Sequence, residues 1–190
     1  MIGSLRVLGV SVVAAVVGGL MPIAAQDPIA KYSAQVVNLD ASSGAATGLV
    51  QIQITRWSTD AERDKLTNTL FETGGKQLLD VVSNLPAAGS IRTPDSVGYP
   101  LRYARRTAAS QNIENVVIIT DRALSFYELK NAPRSRDYPF TVIRFQLNSE
   151  GHGQGDILLA TKISADQATK DIAFENFGAT PLKLQNVRRE

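Results

Sequence analysis

The stretch 138–147 constrains the fold most, because apolar residues occupy both of its alternating faces. Two apolar residues fall on one face and three on the other: Phe140 and Val142, then Ile143, Phe145 and Leu147. A strand that is solvated on one side carries apolar residues at every second position only. The sequence therefore predicts a strand that is covered on both faces and lies centrally in its sheet.

The first 25 residues differ in character from the rest of the chain. A short start containing Arg6 precedes an uncharged apolar run at 7–21, and Ala24 and Ala25 are small residues ahead of Gln26. This order is typical of a secretory signal peptide. An uncleaved membrane anchor is the alternative, because the run approaches the roughly 20 residues of a spanning helix. We expect a signal peptide at 1–25, a single domain at 26–190 and export to the periplasm or the medium, without stable membrane insertion after cleavage.

The composition indicates an ordinary globular domain. With 190 residues, 44% of them hydrophobic, the chain can bury one core. It contains no cysteine, which excludes disulfides and thiolate sites and favours a bacterial periplasm over a disulfide-stabilised secreted scaffold. Since 20 basic residues nearly balance 18 acidic ones, we predict no nucleic-acid partner.

The first half of the mature chain contains two predicted strands and two predicted helices. Residues 32–39 alternate weakly and end in a turn cluster at 40–44, which predicts a first strand followed by a turn. Residues 47–57 alternate between apolar and polar, as in a half-solvated antiparallel strand. At Thr59 the period changes, and Glu62 three residues later completes a capping box. The predicted helix ends at Gly74, and a second helix covers about 76–84.

The remainder of the chain is rich in strands. Turn signals separate the predicted segments 89–92, 99–107, 116–121, 138–147, 156–163, 170–177 and 181–187. No crossover helix separates these segments, so neighbouring strands should pair antiparallel. The predicted fold class is α+β: a predominantly antiparallel β meander that can curl toward a barrel, with two short helices inserted after the second strand. Strand order and closure stay open.

Several runs of residues carry a resemblance to a known group: Ile91-Arg-Thr-Pro94, Gly98-Tyr99, Leu101-Arg-Tyr-Ala-Arg-Arg106, Arg134-Ser135, Asp137-Tyr-Pro-Phe-Thr-Val-Ile143 and Ala160-Thr-Lys-Ile163. In these runs the chain resembles a group of uncharacterised exported bacterial proteins, over nearly all of its mature length. The resemblance implies that the runs belong to one domain. No activity is assigned to that group, so the resemblance implies no site and no mechanism.

The motifs of common enzyme classes are missing from the sequence. His152 is the only histidine, and a glycine-flanked hairpin supplies no partner to orient it for catalysis or metal binding. Walker, His-Glu-x-x-His and Gly-x-Ser-x-Gly motifs do not occur. We predict no catalytic residue, no metal site and no cofactor. The carboxylates Asp121, Glu128 and Asp137 keep a carboxylate hydrolase as an alternative.

Two charged residues share predicted strand faces with apolar neighbours. Arg105 follows Leu101 and Tyr103 at alternate positions, and Asp121 follows Ile119 in the same way. A buried charge needs a partner, so the structural interpretation is an ion pair between Arg105 and Asp121. The functional alternative is an anion-binding mouth. The candidate ligand-binding residues are Arg105, Asp121, Arg134, Arg136 and Asp137.

These patterns favour a non-catalytic exported module that binds a small ligand or a partner protein through an open face or end of the curled sheet. A carboxylate hydrolase and a purely structural envelope protein are the alternatives. An enclosed pocket with two carboxylates would favour the hydrolase, whereas an apolar cavity rimmed by arginines would favour the binding module.

Overall fold

A computed structural model describes residues 27–38, 47–109, 112–122, 137–166, 168, 172–176 and 180–190. The predicted signal peptide at 1–25 and the predicted turn at 40–44 lie outside these residues, as does the segment 123–130, which the sequence leaves ambiguous between strand and helix. The described residues form ten strands and two helices: β1 (Ala30–Val37), β2 (Thr47–Ile54), α1 (Asp60–Thr73), α2 (Leu78–Ser83), β3 (Gly89–Arg92), β4 (Tyr99–Leu101), β5 (Tyr103–Ala109), β6 (Ile113–Thr120), β7 (Phe140–Leu147), β8 (His152–Ala165), β9 (Ile172–Asn176) and β10 (Leu182–Arg189).

The strands form one antiparallel sheet that nearly closes on itself. Its order is β4-β3-β2-β1-β10-β8-β7-β6-β5, and β9 pairs with β8 beside this path. The end strands β4 and β5 are separated in the chain by Arg102 alone, so one segment completes both edges of the sheet. The Arg102 amide donates to the Ile119 carbonyl over 3.0 Å. This nearly closed, barrel-like sheet with two short helices confirms the predicted α+β meander.

The inward faces of the strands form the main core. Every strand except β9 contributes to it, with Tyr32, Ile52, Ile91, Leu101, Ile118, Ile143, Ile157 and Leu184 among the fully buried residues. The alternation predicted for 47–57 is present in β2, where Val50, Ile52 and Ile54 point inward. Burial of these side chains supplies the main stabilisation of a chain that has no disulfide.

Helix α1 begins and ends at the predicted residues. The Thr59 hydroxyl accepts from the Glu62 amide, the Glu62 carboxylate accepts from the Thr59 amide, and Gly74 ends the helix in the left-handed region at φ 60°. Helix α2 is shorter than its predicted span 76–84. Both helices pack on the outer face of the sheet over a second core, formed by Leu66, Leu70, Leu78, Val82, Leu85, Tyr103, Phe140, Val142, Leu158 and Ile163. Among the described helices, none has the length and apolarity to cross a membrane.

Strand β7 lies between the two cores, as its sequence predicts. Phe140 and Val142 belong to the outer core beneath the helices, and Ile143, Phe145 and Leu147 belong to the inner core. The doubly apolar pattern at 138–147 therefore reports a strand covered on both faces.

The predicted single strand at 99–107 is wrong, because the chain is interrupted at Arg102. The Leu101 carbonyl accepts from the Ala88 amide, whereas the next amide, that of Arg102, donates to Ile119 on β6. Leu101 and Arg102 thus bond to different chain segments, and Arg102 is one extra residue that interrupts the alternation of inward and outward side chains. As a result Leu101 points into the inner core and Tyr103 points to the outer core.

Candidate binding groove

The predicted ion pair between Arg105 and Asp121 is wrong. Arg105 Nη2 instead lies 2.8 Å from Oδ1 of Asp60, the first residue of α1. The hydrogen bond from Arg105 holds the pKa of the Asp60 carboxyl below its ordinary value. Arg105 does share the outer face with Tyr103, but the interruption at Arg102 removes Leu101 from that face. This ion pair therefore joins α1 to the sheet.

Asp121 pairs with the interrupting residue itself. Its Oδ2 accepts from Arg102 Nε over 2.8 Å, and its Oδ1 is buried without a hydrogen bond among the described residues. Arg102 Nη1 also reaches the Leu85 carbonyl at 3.5 Å. The pair is mostly buried, with side-chain exposures of 26% for Arg102 and 11% for Asp121. Arg102 thus contacts the end of β6 and the segment after α2 where the two ends of the sheet approach each other.

The remaining predicted site residues do not join this pair. Asp137 is exposed just before β7, and Arg134 and Arg136 lie outside the described residues. No ion pair links Arg105, Asp121 and Asp137 to one another in the described part of the chain. The three described candidates therefore belong to separate places in the fold.

A large depression lies elsewhere, on the outer face of β5, β6, β7, β8 and β10. This outer groove has a volume of about 800 Å³, within the range of small-molecule sites. A neighbouring depression of about 570 Å³ shares three of its lining residues and continues past His152 and Asn186. None of the ligand-binding residues predicted from the sequence lines the outer groove.

A polar row crosses the outer groove, formed by Thr107, Asn115, Gln146, Gln154 and Gln185. Its first four members are direct cross-strand partners on β5, β6, β7 and β8, and the fifth follows on β10. None of these five side chains hydrogen-bonds another group within the part of the chain that the structure describes. The row therefore presents unused donors and acceptors along the groove.

A charged row runs beside the polar row. Arg144, Asp156 and Lys183 are direct partners on β7, β8 and β10. Lys183 Nζ lies 2.6 Å from Asp156 Oδ1, whereas Arg144 Nη2 is 3.6 Å from Asp156 Oδ2. Two cations against one carboxylate leave the row with one net positive charge.

Two glycines of β8 bring the backbones of β7 and β8 together beneath these rows. A Cβ atom at Gly153 would overlap the Gln146 carbonyl oxygen, and one at Gly155 would overlap the Arg144 carbonyl oxygen. Only glycine permits such close backbone approach. The glycines therefore fix the placement of Gln146 and Arg144 relative to β8.

A smaller apolar pocket lies between α1 and the sheet. It has a volume of about 130 Å³ and is lined mostly by the outer core, with Ile172, Phe174 and Arg63 among its lining residues. Arg63 is engaged with Asp64 at 2.6 Å and with Asp60 at 3.3 Å. The pocket thus combines an apolar lining with one arginine that already has partners.

The lining of the outer groove contains one carboxylate among polar and cationic side chains. Among its lining residues Asp156 is the single carboxylate, so the described groove lacks the acid and base pair that carboxylate hydrolysis uses. Asp156 is also held by two cations. Within the described residues, no three His, Asp or Glu side chains are grouped as metal ligands.

The sequence contained a partial signal for the groove. Arg144 and Gln146 alternate with the inward residues of the central strand, and Gln154 and Asp156 do the same on the following strand. Such outward polar residues usually signify only a solvated face. Their meaning depends on β10 lying beside β8, and no local pattern specifies that neighbour.

Comparison with known proteins gives no relative: no protein-family model, curated protein or solved structure matches the chain.

Proposed function

We propose that the protein is an exported, non-catalytic binding module that holds an extended, hydroxyl-rich ligand in the outer groove. The observation that carries the proposal is the polar row, whose five neighbouring side chains make no hydrogen bond within the described residues. A net contribution of about 0.5–1.5 kcal/mol per hydrogen bond makes several such groups sufficient for specific, moderate affinity.

The length of the polar row favours an extended ligand. It crosses five strands, and neighbouring strands lie about 4.8 Å apart, so its ends are separated by roughly 19 Å. The adjoining depression lies beside this row on the same strands and widens the groove toward His152 and Asn186. A ligand with several hydroxyl-bearing units can meet the row at successive strands.

The position of the groove on the face of the sheet favours a hydroxylated oligomer over a peptide strand. The backbone groups of β6, β7 and β8 already pair with strands on both sides. A peptide that binds by strand addition needs an unpaired edge. Recognition in the outer groove must therefore use side chains, and amides hydrogen-bond readily to hydroxyl groups.

The proposal is tested by nuclear magnetic resonance with two defined probes. One is a neutral β-1,4-linked glucose tetramer, and the other is the same tetramer with one glucuronic acid unit. We expect saturable shifts of the side-chain amide signals of Asn115, Gln146, Gln154 and Gln185. If neither probe produces saturable shifts at these residues, the proposed function is wrong.

Matched variants sharpen this test. The double variant Gln146→Ala/Gln154→Ala should weaken binding roughly tenfold or more, because two hydrogen bonds are lost. Gln53→Ala changes a glutamine on β2, outside the groove, and should leave affinity unchanged. Chain shortening of the tetramers during incubation would contradict the non-catalytic assignment and favour the hydrolase.

Export is part of the proposal and rests on residues 1–25 of the sequence. We expect the mature protein to begin near Gln26 and to appear in the periplasmic or secreted fraction. Mass spectrometry of fractionated cells measures this directly, and a membrane-bound species that keeps residues 1–25 would indicate an anchor.

A further inference from the structure

We infer that the ligand of the outer groove carries a carboxylate and that Arg144 binds it. This inference rests on the proposed function and adds the chemical class of the ligand. Its basis is the unequal engagement of the two cations in the charged row.

Asp156 forms a close, hydrogen-bonded ion pair with Lys183 and a looser ion pair, without a hydrogen bond, with Arg144. The Lys183 ammonium lies 2.6 Å from Asp156 Oδ1, a short charge-assisted hydrogen bond. The Arg144 guanidinium stays 3.6 Å from Asp156 Oδ2, beyond hydrogen-bond length, and its side chain is 54% exposed. Arg144 donates no hydrogen bond to the described residues. The hydrogen-bond donors of the Arg144 guanidinium are therefore available to an anion, although Asp156 remains nearby.

Three arginines near the helices and the ends of the sheet donate hydrogen bonds to structural partners. Arg56 bonds to Glu62 and two carbonyls, Arg102 to Asp121, and Arg105 to Asp60. Arg144 differs from these because its fork faces the groove. A guanidinium presents two parallel donors that match a carboxylate in bidentate geometry.

The neighbours of Arg144 place such a carboxylate beside the polar row. Gln146 is two residues further along the same face of β7, and Gln154 is the direct partner of Gln146 on β8. When Arg144 binds the carboxylate of a ligand, the adjoining hydroxyl groups of that ligand lie within reach of the polar row. Arg144 and the side-chain amides of Gln146 and Gln154 then bind the same ligand molecule.

The charge of the row selects a monoanion. Arg144 and Lys183 together exceed Asp156 by a single positive charge. A carboxylate neutralises that excess, whereas a dianionic phosphate brings a second negative charge close to Asp156. The matching ligand class is a hydroxylated oligomer with one acidic unit.

The experiment compares the two tetramers on three proteins at low ionic strength. On the wild type, titration calorimetry should give at least about fivefold tighter binding for the tetramer with glucuronic acid, as expected for a charge-assisted hydrogen bond. Arg144→Gln should abolish this difference between the probes. The control Arg92→Gln removes a positive charge from β3, outside the groove, and should keep the difference.

The other possible results contradict either the carboxylate inference or the proposed function. Equal affinity of both tetramers for the wild type, or a preference that survives in Arg144→Gln, overturns the carboxylate inference and leaves the proposed function standing. Absence of binding by either tetramer removes the proposed function itself. Tighter, Arg144-dependent binding of inorganic phosphate, or of an acetylated tetraglutamate peptide, replaces the proposed ligand class with a phosphorylated ligand or an acidic peptide.

Discussion

Arg102 donates its Nε hydrogen to Asp121 Oδ2 over 2.8 Å where the sheet closes on itself. Because Asp121 is nearly buried, its carboxylate depends on this one cation for hydrogen bonding. We expect Arg102→Ala to lower the free energy of unfolding by about 2–4 kcal/mol, since it leaves the poorly solvated Asp121 charge without a hydrogen bond and with only the Arg122 Nε, 4.0 Å from Oδ1, as a cation nearby. Urea denaturation measures the loss.

A double variant and a second arginine control this prediction. Adding Asp121→Asn to Arg102→Ala should recover part of the lost stability, because the uncompensated charge is removed. Arg105→Ala should cause a far smaller loss, since its partner Asp60 is 74% exposed. Equal losses for the two single variants would show that burial does not determine the strength of these ion pairs.

Local patterns predicted several of the elements but not the partners of these arginines. The alternation in β2, the capping box at Thr59 and the doubly apolar β7 each depend on residues close in sequence. The pairing of Arg105 was predicted wrongly because one extra residue at Arg102 reverses the faces of the strand. A period of two cannot reveal such an interruption, which arises from bonds to two distant strands.

The same reason explains why the outer groove was missed. Asp156 and Lys183 are 27 residues apart in sequence and become neighbours because β10 pairs with β8 and β9 is set aside. Read locally, each residue of the groove is an ordinary outward polar residue. The site exists only through strand order, which the sequence left open.

The capping box of α1 should contribute measurably to stability. Thr59→Ala removes the side-chain acceptor for the Glu62 amide, and we expect a loss of about 1 kcal/mol in the free energy of unfolding. Asn68→Ala changes an exposed position in the middle of α1 and should be neutral or slightly stabilising, because alanine has the higher helix propensity. Chemical denaturation of both variants tests the difference, which a loss of similar size in Asn68→Ala would contradict.

Glu62 should make stability depend on acid pH. The hydrogen bond from Arg56, opposed by burial and aided by the Thr59 amide, holds the Glu62 pKa below its ordinary value of 4.5. A carboxyl with a lowered folded pKa stabilises the fold above the unfolded pKa, and this stabilisation is lost as the pH falls through the folded pKa. We therefore expect wild-type stability to fall more steeply below pH 4.5 than that of Glu62→Gln.

Glutamine can still complete a capping box, so Glu62→Gln isolates the charge. Urea denaturation of both proteins at neutral pH and at several values below pH 4.5 makes the comparison. Parallel stability curves would mean that Glu62 ionises alike in the folded and unfolded chain.

Replacement of Gly155 should disturb the contact between β7 and β8. In Gly155→Ala the new methyl group would overlap the Arg144 carbonyl oxygen, and we expect a loss of about 1–3 kcal/mol through forced backbone shifts. Gly48→Ala is the matched control, because nothing lies within 4 Å of a Cβ there. In thermal unfolding, Gly155→Ala should have a clearly lower melting temperature than Gly48→Ala. Equal melting temperatures would show that β7 and β8 can move apart without loss of stability.

The pairing of β1 with β10 also fixes when the protein can fold. Tyr32 lies opposite Arg189, so the sheet joins its first described strand to its last. Until β10 is present, β1 and β8 both have an unpaired edge, and the loop that must close spans nearly the whole domain. We therefore expect the sheet to close only after β10 has been synthesised, and a chain that lacks β10 to stay open.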